Sequence, residues 1–272
     1  MAFYDPSTYG EEIAPVYDTI VEPSTPAEPA AEFLAPLAGR GRALELGIGT
    51  GRVAIPLAAR GIRVFGIDAA PKMVERMRAK PGGDAIPVEI GDFADVKIDG
   101  KFSLIFVVFN TFFALGNQDG QIRCFERVAR RLAPGGVFVI EAFVPDQSRF
   151  DRGQRVSASN AALDSVKLDA MMHDRAAQTV RGAHLTIGKK GFKIFPVQLR
   201  YAYPAELDLM ARIAGMRLRE RWAGWNRAPF TSQSGLHVSV YELNPPPVPP
   251  KRGAIARPRR RKFPRRTAAG LD

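Results

Sequence analysis

Little in this 272-residue chain is of the kind that staples, anchors or metallates a protein. It holds one cysteine and three histidines. A single thiol excludes an internal disulfide and fits a reducing cytoplasm, which is the expected location. Cys124 sits in a helical pattern with Phe125 and Val128 and reads as core filling rather than as a nucleophile. No metal site is expected. No apolar run reaches the length that crosses a bilayer, and the run at 102–109 is far too short. The first eighteen residues have neither a basic start nor an apolar stretch, so no secretory leader is expected.

What the chain has in excess is positive charge, +11 net, and its distribution limits what that charge can mean. Residues 244–272 carry +8 of it, leaving +3 for residues 1–243. The tail begins NPPPVPP, which suits neither helix nor central strand, and then offers almost no apolar material to bury. It is expected to be a disordered, basic, Pro/Arg-rich extension with at most weak contacts to nucleic acid or anionic surfaces. The near-neutral remainder offers no phosphate track. Residues 1–243 are long enough for one sizeable core, with 46% apolar and 25% charged residues overall.

Residues 43–52, ALELGIGTGR, are the stretch around which the rest is organised. An apolar strand, broken by Glu45, runs into Gly47, Gly49 and Gly51, and a helical run with Val53, Ile55 and Leu57 follows. Strand, glycine turn and helix open an α/β sheet whose ligands sit beyond the carboxyl ends of its strands. Glycines there accept positive φ and let a ligand approach the backbone without a Cβ in the way. The dinucleotide fingerprint G-x-G-x-x-G needs a third glycine where this chain has Arg52, too bulky for close helix–strand packing. An acid, Glu45, stands instead two residues before the first glycine.

The pattern acid-x-Gly-x-Gly-x-Gly resembles motif I of the class I S-adenosylmethionine-dependent methyltransferases, and later motifs of that family follow in order. The resemblance implies an α/β, Rossmann-like sheet of seven mostly parallel strands with a final antiparallel hairpin. It implies S-adenosyl-L-methionine as cofactor and places Glu45, Gly47, Gly49 and Gly51 against it. Residues 63–68, RVFGID, read as a second buried strand ending in a carboxylate. Two carboxylate oxygens can accept from two adjacent hydroxyls, and the family's ribose-binding acid falls on Asp68. The same side chain is well placed to cap the helix opening at Pro71. Met73, one turn on, falls where the family sets an apolar side chain against adenine. Residues 87–92 end in Gly91-Asp92, similar to the adenine-recognition motif. There Asp92 would accept from the 6-amino group while the N–H of Phe93 meets a ring nitrogen, or Asp92 would simply cap the turn at 93–96. Upstream, Ala14-x-x-Tyr17-Asp18 resembles the family's N-terminal cover, which implies that Tyr17 faces the ligand; anchoring a helix to the sheet is its alternative.

The acceptor side is less marked. Residues 101–109 are near-continuously apolar, as a central parallel strand should be, and end at Asn110-Thr111. The family's fourth motif falls here, implying cofactor contact for Phe109 and acceptor contact for Asn110. The Asn-Pro-Pro-aromatic signature for planar nitrogen acceptors is absent, which disfavours nucleobases and protein amides. A helix at 118–132 leads through 133–136, APGG, into a fifth strand at 137–143. Glu141, late in that apolar run, needs a salt-bridge partner or a catalytic reason. From 156 to 202 the helical period stops, and three strand-like stretches at 166–171, 179–187 and 192–203 alternate with turn chemistry. This predicts an antiparallel β insertion over about 150–203, roofing the acceptor pocket as a similar insertion does in sugar-amine and related small-molecule methyltransferases. The last two strands, 216–225 and 237–243, carry Trp222, Trp225 and His237 to the carboxyl edge of the sheet.

The expected reaction is in-line methyl transfer from S-adenosylmethionine to an O or N atom of a small molecule. His237 is the first candidate for taking the acceptor's proton and Glu141 the second; His184 and His173, in the insertion, have weaker claims. Two other classes compete. One is an RNA- or partner-binding protein that uses the basic tail on the same fold. The other is a nicotinamide-dependent oxidoreductase, opposed by Arg52 and by the Gly91-Asp92 motif.

Overall fold

A computed structural model describes residues 5–20, 27–189 and 191–245. The tail expected at 244–272 therefore lies outside the described residues from 246 onward. Three helices, α1 (Thr8–Ile13), α2 (Tyr17–Ile20) and α3 (Ala27–Ala38), precede an alternating run: β1 (Arg42–Leu46), α4 (Ala54–Ala59), β2 (Arg63–Asp68), α5 (Pro71–Arg78), β3 (Val88–Ile90), β4 (Phe102–Val107), α6 (Gln118–Arg131) and β5 (Leu132–Phe143). Four strands follow, β6 (Gln154–Ala161), β7 (Ser165–Asp174), β8 (Thr179–Gly188) and β9 (Gly191–Arg200), then α7 (Pro204–Ile213), β10 (Met216–Trp222) and β11 (Leu236–Leu243).

Apolar strands with helices between them must bury both faces, and they do so in one seven-stranded sheet of order β10-β11-β5-β4-β1-β2-β3. Pairing is parallel from β3 through β5, whereas β11 runs antiparallel to both β5 and β10. Strand order reverses at β1 and β4, and a crevice opens at their carboxyl ends for that topological reason. On one face Leu46, Ile105, Phe138 and Tyr241 pack with Phe125 of α6 and Leu207 of α7. On the other, Ala43, Phe106, Val139 and Val240 pack with Leu34 of α3 and Leu57 of α4. Each large apolar side chain so covered contributes about 1.5–3 kcal/mol of burial.

The fifth strand starts earlier than expected, at Leu132, so the Pro134-Gly135-Gly136 turn lies within it as a register shift against β4. Gly136 is required there, because a Cβ would sit 2.8 Å from the carbonyl oxygen of Phe102. The insertion is a separate antiparallel sheet, β6-β7-β8-β9, with four strands where the sequence marked three. The additional strand β6, QRVSASNA, is an exposed edge with few of the β-branched and aromatic residues that signal a strand. The insertion is anchored at the end of β9 by the buried Arg200, which donates to Glu206 at 2.6 Å, to Gln121 at 2.6 Å and to Gln178 at 3.0 Å. The N-terminal cover closes the other side, where Ile13 and Ala14 pack against Phe195 of β9 and Met73 of α5. Among the described residues no helix is long and apolar enough to cross a membrane.

Candidate functional site

The crevice at the switch point is a cavity of about 440 Å³. Its floor is the turn after β1. The N–H groups of Gly47 and Ile48 donate to the carbonyl of Ile67, and the N–H of Gly49 donates to Oδ2 of Asp68 at 2.7 Å. Gly47 has φ +70°, and a Cβ on it would lie 2.4 Å from Cγ2 of Thr111. A larger residue would have to take a left-handed conformation and displace the Thr111 side chain. The other Asp68 oxygen accepts the N–H of Ala70 at 2.8 Å, just ahead of α5, rather than an N–H of the helix itself, and the carboxylate also lines the cavity. Burial pushes its pKa up against those two hydrogen bonds.

Glu45, 2% exposed, also lines the cavity. One carboxylate oxygen takes the N–H of Ala54, while Oε2 is buried without a hydrogen-bond partner among the described residues. Burial and the neighbouring Asp68 raise its pKa well above the usual carboxylate range. A buried acceptor with nothing to accept from fits a cationic or N–H-bearing ligand. Arg52 also lines the cavity, its guanidinium 4.3 Å above the Phe109 ring, and its charge acts on Tyr17. Both signs of charge therefore meet at one end of the cavity. Burial is the main cause of the raised pKa of Tyr17.

Met73, Asp92 and Phe93 line the cavity, and Oδ1 of Asp92 caps its own turn through the N–H of Ala94 at 2.8 Å. Phe109 and Asn110 line the cavity in left-handed conformations, φ +55° and +64°. Glu141 holds that turn. Its Oε2 accepts the N–H of Phe109 at 2.8 Å, its carbonyl accepts from Asn110, and Oδ1 of Asn110 accepts the N–H of Phe143 at 2.6 Å. Glu141 is 3% exposed and absent from the cavity lining, so the catalytic expectation gives way to a positioning one.

The expectations for the closing hairpin are corrected by strand alternation. His237, Ser239 and Tyr241 share one face of β11, and that face lies under α7 and Arg221. His237 is fully buried, with Nδ1 2.8 Å from the Ser239 hydroxyl, and burial pushes its pKa down to about 3. It lines neither cavity described here. Trp222 and Trp225 project to the opposite face, where Trp225 stacks edge-on with Phe33 of α3 at 5.3 Å. Neither forms the expected aromatic wall.

A second cavity of about 220 Å³ lies between the end of β5 and the inner face of the β6–β9 sheet. Its apolar lining includes Phe150, Met171 and Val180, with Asp146, Arg149 and Arg155 adding charge. The two cavities share Phe143, His184, Val197 and Leu199. Sequence reasoning missed Tyr9, Thr111 and Gln198 at the first cavity and treated Arg52 only as an obstacle to a dinucleotide. Tyr9 stands eight residues, about two helical turns, before Tyr17, and that spacing was the available signal. Among the described residues no group of three or more His, Cys, Asp or Glu gathers to hold a metal.

Residues 43–136 match the family model described as a methyltransferase domain. The chain is 30% identical over 242 residues to the cypemycin N-terminal methyltransferase of a Streptomyces species, covering 88% of this chain and 98% of that protein. It is 40% identical to the CcbJ methyltransferase from Streptomyces caelestis, with a TM-score of 0.84 over 88% of this chain and 99% of that one. The amino pentose methyltransferase CalS10 from Micromonospora echinaspora shares the fold at 20% identity, with a TM-score of 0.63 over 88% and 98% of the two chains.

Proposed function

The chain belongs to the class I S-adenosylmethionine-dependent methyltransferases, and from that premise we propose that it methylates an amine carried by a small or chain-end substrate. The observation that carries this reading is the pair of cavities meeting at Phe143, His184, Val197 and Leu199. The larger one suits the cofactor. Asp68 offers both oxygens near a sugar diol, Asp92 and Phe93 offer an acceptor and an N–H to a base, and Met73 covers the ring. Glu45 would receive the amino group of the methionine portion on its unpartnered Oε2, and Arg52 its carboxylate. When bound, S-adenosylmethionine supplies an electrophilic methyl on a sulfonium. The protein's own part is to set the approach and exclude water.

The smaller cavity suits the acceptor. Its apolar lining and volume admit a compact body or the end of a chain. A nitrogen acceptor is favoured because the relative that aligns with 98% of its own length is named for methylating an N-terminus. The chain's one cysteine, the buried Cys124, leaves no internal disulfide to form, a usage that suits a reducing, cytoplasmic setting. The RNA-binding and nicotinamide readings find no support in these relatives, and Arg52 takes the place of the third glycine that a dinucleotide turn requires.

The test is to incubate the protein with trideuteromethyl-labelled S-adenosylmethionine and a pool of metabolites and free-amine peptides, followed by mass spectrometry. Label on amine nitrogen is expected. Label confined to hydroxyl oxygen, or none at all despite cofactor binding, would overturn the assignment.

A further inference from the structure

We propose that His184, held by Asp169, is the group that takes the proton from the acceptor nitrogen; this rests on reading the two cavities as cofactor and acceptor chambers. Methyl transfer has to occur where the chambers meet. Of the described residues lining both, Phe143, Val197 and Leu199 are apolar and His184 is titratable. Asp169 and His184 are register partners on β7 and β8, so both side chains stand on the inner face of the insertion. Nδ1 of His184 lies 2.6 Å from Oδ1 of Asp169. A carboxylate there fixes the Nδ1–H tautomer and leaves the Nε2 lone pair as the proton acceptor.

The surroundings suit that task. From α1, Tyr9 meets the imidazole edge-on with ring centroids 6.4 Å apart, and Phe195 is the apolar register partner from β9. Arg155 of β6 and Asp146 and Arg149 of the segment after β5 line the smaller chamber. The other two histidines are otherwise engaged. His173 bonds the Tyr201 hydroxyl through Nε2 at 2.8 Å, and His237 is enclosed behind β11. The His184 side chain is 41% exposed, so a proton it receives has a route to water.

In the step itself, the arriving ammonium gives one N–H proton to Nε2, and the lone pair so freed forms the new N–CH₃ bond. The S–CH₃ bond breaks with its electron pair staying on sulfur. The carboxylate of Asp169 faces the imidazolium so formed, and the methylated amine departs as its ammonium. The proton then leaves to solvent.

Nitrogen-15 histidine NMR of the protein with S-adenosylhomocysteine bound reads the lone pair independently of turnover. His184 should be the Nδ1–H tautomer, and Asp169→Asn should weaken that tautomer preference. With trialanine as the acceptor probe, His184→Gln should lower kcat by roughly 10²–10³-fold and lose the acid limb of the pH profile. Its Kd for S-adenosylhomocysteine should stay within about threefold of wild type, and free imidazole should restore part of the rate in His184→Gly. An Nε2–H tautomer, or wild-type kcat with an unchanged acid limb in His184→Gln, would overturn the proposal. Failure of the underlying reading looks different: the wild-type protein itself would not bind S-adenosylhomocysteine or would transfer no label to any amine.

Discussion

The two halves of the sheet's carboxyl edge behave differently. At the β1–β2 end, strand tips alone bring Glu45, the glycine turn and Asp68 to one cavity. At the β5–β11–β10 end, His237, Trp222 and Trp225 stand at the same edge but point away, under α7 and against α3. Reaching the edge therefore does not by itself place a side chain in the site. The switch point between β1 and β4 opens a crevice by topology. At the other end, each side chain follows the alternation of its strand and the helix that covers that face.

The largest expected effect tests the first end. Asp68→Ala should weaken S-adenosylmethionine binding by about 2–4 kcal/mol, roughly 30- to 700-fold by calorimetry, because charge-assisted hydrogen bonds are lost. Binding within threefold of wild type in a folded variant would remove the asymmetry between the two ends.

Glu45→Gln comes next and should cost about 1.5–3 kcal/mol of cofactor binding. It also has a pH signature. The folded carboxyl titrates above its unfolded value near 4.5, so the folded state holds the proton more tightly. Stability of the cofactor-free protein should fall as pH rises from that unfolded value through the raised folded one. Thermal scans across that range should show the slope in wild type and a flatter profile in Glu45→Gln.

His237→Gln sharpens the contrast from the other side. With its folded pKa down at about 3, the histidine contributes stability that is complete above its unfolded value near 6.5. That contribution is lost as pH falls toward 3. Denaturant titrations should show the acid loss reduced in the variant, while kcat stays within about threefold. A drop in kcat like that expected for His184→Gln would restore His237 to the site. The smallest effect is expected from a chain ending at Pro245, which keeps the bond from the Asn244 N–H to the Gly215 carbonyl. Its melting temperature and cofactor affinity should match the full chain.

What could be read from sequence follows the same division. Glu45, the glycines, Asp68, Asp92 and Phe93 lie within about fifty residues, and strand ends and turns, which leave local patterns, bring them to one cavity. The seven-stranded, mostly parallel sheet with its closing hairpin came from the family resemblance, and its strand order only from the structure. His184 and Asp169, by contrast, come together only through β7–β8 register, and the chamber they line needs β9 to be pinned by Arg200, Gln121 and Glu206. The Arg200–Gln121 contact joins residues 79 apart in sequence and carries no spacing signal. The strand β6 was invisible because its sequence is small and polar. Glu141 was singled out correctly as anomalous, but its partner, the backbone of Phe109 in a left-handed turn, is a feature of conformation rather than of residue type.

The central claim is that one cavity holds the cofactor with its reacting end at the junction of the two chambers. A crystal structure with S-adenosylhomocysteine tests it most directly. The expected structure has ribose hydroxyls on Asp68, the amino group on Glu45, and the sulfur facing the junction bounded by Phe143, Leu199 and His184. A nucleoside bound elsewhere, or a sulfur turned away from that junction, would contradict it.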